Sequence, residues 1–186
     1  MNAQAALLEL KNGNVRFLNG TPQRNNQDAT RVESLTAGQS PWAIILSCAD
    51  SRVVPEIAFD TGLGELFVIR VAGNVANKST IASIEYAVAH LGTKLIVVMG
   101  HESCGAVGAA IDNGGGSESL DHLLAEIKPA IAAAKSNDVN TVVKTNAKIT
   151  AENLQERSSI ITNAVANEGL EIVSAFYNLS NGSVDF

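Results

Sequence analysis

Three short, nearly continuous apolar segments constrain the fold of this chain more than any other feature. They span residues 42–48, 66–71 and 95–99, and a fourth such segment follows at residues 170–178. Each has the length of a strand, and the first three lack the apolar–polar alternation of a half-exposed strand. They therefore predict strands buried on both faces, as in a parallel sheet covered by helices, and the fourth segment adds a further strand.

Helical periodicity separates the predicted strands. Ile81, Ile84, Val88 and Leu91 fall on one face of a helix over residues 79–91, between the second and third strands. A strand, a helix and a second apolar strand in this order predict a βαβ crossover on a parallel sheet. Residues 3–18 are predicted to form one or two short helices, because Gly13 interrupts the pattern. The other predicted helical segments are residues 119–135, with a break near Pro129, and 147–167.

The order of these segments indicates a single α/β domain over residues 1–186, since one domain typically contains about 100–200 residues. We expect a central, mostly parallel sheet flanked by helices over residues 39–186. Residues 1–38 are predicted to form an N-terminal helical arm. Asn181-Gly182 predicts a two-residue turn in a C-terminal hairpin.

The composition excludes several classes of protein. Hydrophobic residues make up 46% of the chain and charged residues 17%, which is incompatible with intrinsic disorder or a coiled coil. The net charge is −6 without a basic stripe, so neither nucleic acid nor a membrane surface is an expected partner. No apolar run approaches the roughly 18 residues of a membrane span. Residues 1–10 lack a basic stretch followed by an apolar one, so we expect a cytoplasmic protein, with a processed periplasmic form as the alternative.

Both cysteines of the chain follow predicted strands. Cys48 ends the first strand, and His101 and Cys104 follow the third. Ligand sites form past the carboxyl ends of parallel strands, so these three side chains can surround one point. Two thiolates and an imidazole suit tetrahedral Zn²⁺ and leave a fourth position free, as in catalytic zinc sites. A helix that starts at Cys104 would favour the thiolate that zinc requires.

Asp50 and Arg52 lie just beyond the same strand end as Cys48. A guanidinium two positions from a carboxylate can pair with it and orient it as an acceptor beside the metal. Zinc lowers the pKa of bound water to about 7, so that hydroxide becomes available at neutral pH. Asp50 could fix that hydroxide by accepting its hydrogen bond, or it could instead bind zinc and close the site.

Other interpretations of these residues stay open at this point. A single buried cysteine is usually a small core hydrophobe, and an Asp-x-Arg pair is usually a local ion pair. A metal-free thiol hydrolase would use Cys104 as nucleophile and His101 as base. That alternative leaves Cys48, Asp50 and Arg52 without a role.

The two motifs at the strand ends resemble the paired signature of the β-class carbonic anhydrases. They read Cys48-Ala49-Asp50-Ser51-Arg52 and His101-Glu102-Ser103-Cys104-Gly105, and the likeness covers residues 39–111 through the segments 64–70, 72–74 and 83–88. The resemblance implies one Zn²⁺ per chain on Cys48, His101 and Cys104. It also implies an enzyme that hydrates CO₂ reversibly to bicarbonate and a proton.

By the same resemblance, Asp50 and Arg52 form a catalytic dyad that assists attack of zinc-bound hydroxide on CO₂. In this family the aspartate either pairs with the arginine, which leaves zinc open to water, or becomes the fourth metal ligand in an inactive state. Both roles are therefore expected for Asp50.

The resemblance also implies a substrate cleft. The plant-like subtype of the family lines its CO₂ cleft with Gln, Phe and Tyr, partly across a dimer interface. Gln39, Phe67 and Tyr86 match these motif positions, and Gly105, next to the last zinc ligand, is expected to contribute to the same substrate site. Phe and Tyr offer CO₂ an apolar wall, and Gln can donate a hydrogen bond to one of its oxygens.

The second subtype of the family holds an inhibitory bicarbonate with Trp, Arg and Tyr. Arg70 and Tyr177 resemble the last two, but Ile45 stands at the position of the tryptophan. We therefore expect the plant-like cleft, in a homodimer or in a tetramer built of dimers. Two alternatives remain, namely hydrolysis of COS or CS₂ on the same zinc site and a non-catalytic protein that binds zinc or bicarbonate.

Overall fold

One five-stranded sheet, in the order β2-β1-β3-β4-β5, forms the centre of the computed structural model, which describes residues 1–186. The strands are β1 (Ala43–Ser47), β2 (Leu66–Arg70), β3 (Leu95–His101), β4 (Glu171–Tyr177) and β5 (Val184–Asp185). β1 pairs with β2 and β3, and β3 pairs with β4, all in parallel, whereas β5 is antiparallel to β4. The predicted mostly parallel sheet and the C-terminal hairpin are confirmed.

Nine α-helices and one 3₁₀ turn, at Ala72–Asn74, connect and flank the strands. The helices are α1 (Ala3–Leu18), α2 (Ala29–Ser34), α3 (Pro55–Ala58), α4 (Lys78–Leu91), α5 (Gly105–Ile111), α6 (Glu118–Ala125), α7 (Lys128–Ala134), α8 (Val139–Arg157) and α9 (Ser159–Asn167). None of them combines the length and the apolar character needed to cross a membrane. The predicted βαβ crossover is formed by β2, α4 and β3.

Helices bury the sheet from both sides. On one face, Ile44 and Leu46 belong to a core cluster with residues of α4, α8 and α9. On the other face, Ala43 and Ile45 cluster with residues of α1 and α3. Successive residues of a strand point to opposite faces, which is why β1 is apolar throughout.

The first helix belongs partly to this core. Ala6 and Leu10 are fully buried in the cluster that contains β1 and β3. α1 continues through Gly13, because this residue lies against the backbone of Phe59 and a Cβ there would meet the Phe59 carbonyl oxygen. Of the one or two helices expected over residues 3–18, the chain forms one, and the glycine serves close packing. The separation of residues 1–38 as an arm stays a prediction.

The helix predicted over residues 147–167 is in fact two helices. α8 begins earlier, at Val139, and the chain is bent at Ser158. The hydroxyl of Ser158 accepts the N–H of Ile161 at 3.2 Å and so caps α9, and it donates to Glu85 of α4 at 2.6 Å. The break comes from this cap, which a periodicity argument does not detect.

Two strand predictions also need correction. β2 is half-buried rather than fully buried, because it lies at the edge of the sheet. The hairpin does not have a two-residue turn, since Tyr177 pairs with Val184 and residues 178–183 connect the two strands. The predicted break near Pro129 is confirmed by the gap between α6 and α7.

Candidate metal centre

The carboxyl ends of β1 and β3 lie side by side and bring the predicted metal ligands together. Ser47 of β1 is opposite Met99 of β3, so Cys48 and His101 leave the sheet at the same edge. Cys104 follows as the N-cap residue of α5. The ligand atoms of Cys48, His101 and Cys104 all lie within 4.8 Å of one another, and all three residues are buried. The predicted meeting of these side chains is confirmed.

His101 presents an unpaired ring nitrogen to this cluster. Its Nδ1 lies 2.9 Å from the carbonyl oxygen of Glu102, an acceptor, so Nδ1 carries the hydrogen. Nε2 then carries a lone pair, and this atom is buried without any hydrogen-bond partner. A zinc-binding histidine normally donates its other ring N–H to a carbonyl or carboxylate in this way. His101 is therefore suited to bind a metal through Nε2.

The two sulfur atoms are spaced for a metal and not for a disulfide. Cys48 Sγ and Cys104 Sγ are 3.9 Å apart, whereas a disulfide bond measures about 2.05 Å. Two sulfurs bound tetrahedrally to Zn²⁺ at about 2.3 Å lie about 3.8 Å from each other. The backbone N–H of Gly73 donates to Cys48 Sγ at 3.3 Å. Donor set and spacing therefore fit Zn²⁺.

These contacts favour ionisation of Cys48. Its pKa is lowered to about 4, chiefly by the hydrogen bond with the Cys104 thiol and, against the opposing effect of burial, by the backbone N–H of Gly73. The pKa of Cys104 is raised, because its hydrogen bond to Cys48, its burial and the charge of Cys48 all favour the neutral thiol. Both shifts favour a metal-free pair in which Cys48 is the thiolate and the remaining proton stays on Cys104. Zinc binding displaces this proton, since the metal binds thiolates.

Asp50 borders the cluster and is fixed by Arg52. Nε of Arg52 donates to Oδ1 at 2.9 Å and Nη2 donates to Oδ2 at 2.8 Å, while the backbone N–H of Arg52 donates to Oδ1 at 2.9 Å. The guanidinium holds the pKa of the Asp50 carboxyl well below its usual range, although burial acts in the opposite direction. Oδ2 lies 3.9 Å from Nε2 of His101. The carboxylate is thus ionised, oriented and next to the three ligands.

Arg70 holds the same loop, a role that was not predicted from the sequence. Its side chain leaves the edge strand β2 and donates from Nε to the carbonyl oxygen of Cys48 at 3.1 Å and from Nη2 to that of Asp50 at 2.6 Å. It thereby fixes the turn that carries both a metal ligand and the carboxylate. A charged residue within an otherwise apolar strand is the sequence signal that could have indicated this role.

The predicted cleft residues fall in separate places of the single chain. Phe67 of β2 and Tyr86 of α4 are neighbours, with ring centroids 6.4 Å apart, and Tyr86 is 49% exposed. Gln39 is exposed and lines a groove beside α2. Gly105 directly follows the last ligand, and a Cβ there would meet no atom within 4 Å. The roles of these four residues in substrate binding stay predictions.

Comparison with known proteins identifies the family in which this fold and this cluster occur. Residues 43–184, most of the chain, match the family model for carbonic anhydrase. The chain therefore belongs to the carbonic anhydrase family, and the solved structures that it resembles are of the β class. The resemblance predicted from the two motifs is confirmed.

Several relatives match most or nearly all of the chain. Carbonic anhydrase 2 of Mycobacterium tuberculosis is 41% identical over 190 residues, which cover 97% of this chain and 91% of that protein. The β-carbonic anhydrase CafA of Aspergillus fumigatus is 28% identical with a TM-score of 0.76, over 98% of this chain and 88% of that one. A tetrameric β-carbonic anhydrase of Sordaria macrospora is 29% identical with a TM-score of 0.75, over 83% and 84%. The likeness thus extends well beyond residues 39–111, where the motifs lie.

Proposed function

We propose that this protein catalyses the reversible hydration of CO₂ to bicarbonate and a proton, with one Zn²⁺ per chain. The observation that carries the proposal is the buried cluster of Cys48, His101 and Cys104 beside a carboxylate that Arg52 keeps ionised. Membership of the family supports the reaction, and the geometry supports the part that each residue takes in it.

The three ligands would hold the metal through the two Sγ atoms and Nε2 of His101. Such a set leaves a fourth position for water or substrate, as in catalytic rather than structural zinc sites. When bound there, Zn²⁺ supplies the Lewis acidity that makes hydroxide available from water at neutral pH. The Gly73 N–H moderates the negative charge on Cys48, and the Glu102 carbonyl fixes the tautomer of His101.

Asp50 orients the attacking water or hydroxide. Its Oδ2 lies 3.9 Å from Nε2 of His101, so the carboxylate borders the position that the three ligands surround. Because the carboxylate is ionised, it can only accept a hydrogen bond, so Asp50 would accept the hydrogen of the attacking water or hydroxide and leave a lone pair of that oxygen free for CO₂. The double contact with Arg52 also keeps Asp50 away from the metal position. This arrangement favours an open site over the closed, non-catalytic alternative.

A second copy of the chain completes the substrate cleft. Tyr86 is 49% exposed, and the edge strand that carries Phe67 is half-buried, so both lack a full set of neighbours within one chain. The two rings would form an apolar wall for CO₂, to which Gln39 can donate a hydrogen bond. A homodimer fits this surface, and so does a tetramer built of dimers; the Sordaria relative is tetrameric.

Stopped-flow hydration of CO₂ near pH 8 tests this function. We expect rapid hydration that is lost when zinc is removed with a chelator and restored when zinc is added back. His101→Ala should lose both zinc and activity, whereas His122→Ala, on the exposed surface of α6, should keep both. A fully zinc-loaded protein that hydrates no CO₂, or that turns over COS faster, would contradict the proposal.

A further inference from the structure

We propose that two asparagines of α8, Asn140 and Asn146, are positioning residues for the metal centre, each holding the backbone beside one of the two thiolate ligands. Neither belongs to the motifs that supply the ligands, and neither contacts the metal position. The inference rests on the zinc site of the proposed function. It assigns to α8 the role of holding the backbone next to Cys48 and Cys104.

The packing of α8 against β3 makes such a role possible. Gly100, the residue before His101, faces Val143, and a Cβ on the glycine would lie 2.5 Å from the Val143 Cγ1 atom. The glycine therefore lets α8 approach the end of β3 closely. Val143 is itself fully buried in the same core cluster as Cys48 and Cys104. Side chains one turn to either side of Val143 can consequently reach the loops that carry the ligands.

Asn140 holds the loop that ends in Cys104. Its Oδ1 accepts the backbone N–H of Ser103 at 2.8 Å. Ser103 has a φ of 54°, in the left-handed region that residues other than glycine rarely adopt. The hydrogen bond satisfies the Ser103 N–H in this conformation, which directs the next residue, Cys104, back toward Cys48. Without an acceptor at this position, the loop loses the contact that fixes its fold.

Asn146 acts on the other thiolate. It is 2% exposed, and its Nδ2 donates to the carbonyl oxygen of Gly73 at 2.9 Å. The N–H of Gly73 donates in turn to Cys48 Sγ at 3.3 Å. Gly73 has a φ of 68°, so the direction of its N–H depends on a turn that Asn146 anchors. A shift of this turn would change the hydrogen bond to the sulfur and hence the donor strength of Cys48.

The experiment measures zinc affinity of the full-length protein by competition with a chromophoric chelator. Asn140→Ala and Asn146→Ala should each weaken zinc binding, by roughly 10-fold to 100-fold, as for other residues that orient metal ligands. Asn140→Asp keeps the acceptor for Ser103 and should restore affinity to within about twofold of the wild type. The matched control is Asn153→Ala, because Asn153 lies on the same helix and makes no hydrogen bond to either ligand loop.

A second readout separates positioning from a general loss of stability. In the Co²⁺-loaded protein, Asn146→Ala should shift the thiolate-to-cobalt charge-transfer absorption, and Asn153→Ala should leave it unchanged. Wild-type zinc affinity in both alanine variants, or equal losses in Asn140→Ala and Asn140→Asp, would overturn the inference. If Asn146→Ala fails to fold, the comparison of Asn140→Ala with Asn140→Asp still tests whether α8 positions a metal ligand. A wild-type protein that binds no zinc would overturn the proposed function as well, whereas unchanged variants of an active zinc enzyme would overturn this inference alone.

Discussion

The ionisation and the orientation of the Asp50 carboxylate depend on the residues that surround it. Arg52 binds both of its carboxylate oxygens, and Arg70 binds its backbone carbonyl, so that side chain and main chain are fixed independently. The planar guanidinium matches the carboxylate in a way that a lysine ammonium does not.

We expect Asp50→Asn to retain zinc but to lose turnover by roughly 10-fold to 100-fold, because the amide can no longer serve as a purely accepting, charged partner. Arg52→Lys should also keep the metal while lowering turnover, since one ammonium cannot bind both oxygens. Zinc content by atomic absorption and CO₂ hydration by stopped flow check both. Ser51→Ala, between the two residues and exposed, serves as the control. Full turnover in Asp50→Asn would refute the role assigned to the carboxylate.

The ligands themselves could be predicted from the sequence, whereas most of the residues that hold them could not. Cys48, His101 and Cys104 are rare residue types that follow apolar strands, and their chemistry restricts their use. Asn146 instead binds a backbone carbonyl, an acceptor that every residue offers. Such a contact leaves no residue pattern in the sequence, so it becomes visible only when the fold places the two partners together.

At the scale of elements, the N-terminal helix is tied to the sheet layer through one buried carboxylate. Asp60 follows α3 and its side chain accepts Nε of Arg16 on α1 at 2.6 Å and the backbone N–H groups of Gln23 and Arg24 at 2.9 and 3.1 Å. Burial acts to raise the pKa of Asp60, but these donors outweigh it and lower the pKa below its ordinary value. Asp60 therefore links the segment after α1 to the core.

The pH dependence of stability follows from this shift. A carboxyl whose pKa is lower in the folded than in the unfolded chain stabilises the fold above about pH 4, and this contribution is lost as the pH falls through the folded value. Asp60→Asn should thus reduce the free energy of unfolding by roughly 2–4 kcal/mol at pH 7. The difference from the wild type should shrink as the pH falls below about 4.

Urea unfolding of metal-free samples at pH 7, 5 and 3.5 measures this difference. Asp112→Asn, at an exposed carboxylate without a hydrogen bond, should change stability little at any of these pH values. A deficit of Asp60→Asn that is the same at every pH would show that the ionised carboxylate is not the source of the stability.

Sequence periodicity predicted the four long strands and the longer helices, but it missed the short helices α2 and α3 and the true limits of α8. The apolar pattern of α1 contains Gly13, which reads as a helix breaker until the backbone of Phe59 is found against it. Ser158 has a low helix propensity, yet what ends α8 there is its cap and its contact with Glu85 on another helix. Both features depend on contacts with residues that are distant in the sequence, and a local sequence pattern carries no information about such contacts.

At the scale of the whole molecule, the exposed aromatic surface on β2 and α4 predicts association. A dimer has twice the 19.4 kDa of the chain, or 38.8 kDa. We expect sedimentation analysis to give this mass or a multiple of it. Tyr86→Glu should shift the protein toward the monomer and reduce CO₂ hydration while zinc stays bound, because a charge would then have to be buried at the interface.

The control for this prediction is Ile160→Glu, which puts the same charge on α9 at a residue that is 40% exposed. It should leave mass and turnover unchanged. A fully active Tyr86→Glu monomer would show that one chain contains a complete cleft.

Two of the ligands of the metal centre, Cys48 and Cys104, are separated by 56 positions along the chain. They meet because β3 pairs directly with β1. The whole crossover through β2 and α4 lies between them, so this long loop must close before one ion can bind all three ligands. Contacts of such range form slowly in folding. We therefore expect zinc to slow unfolding more than it accelerates folding, because its complete site forms only after this loop has closed. In kinetic terms, the metal would set how long the native state persists, and the apolar strands would set how quickly it is reached.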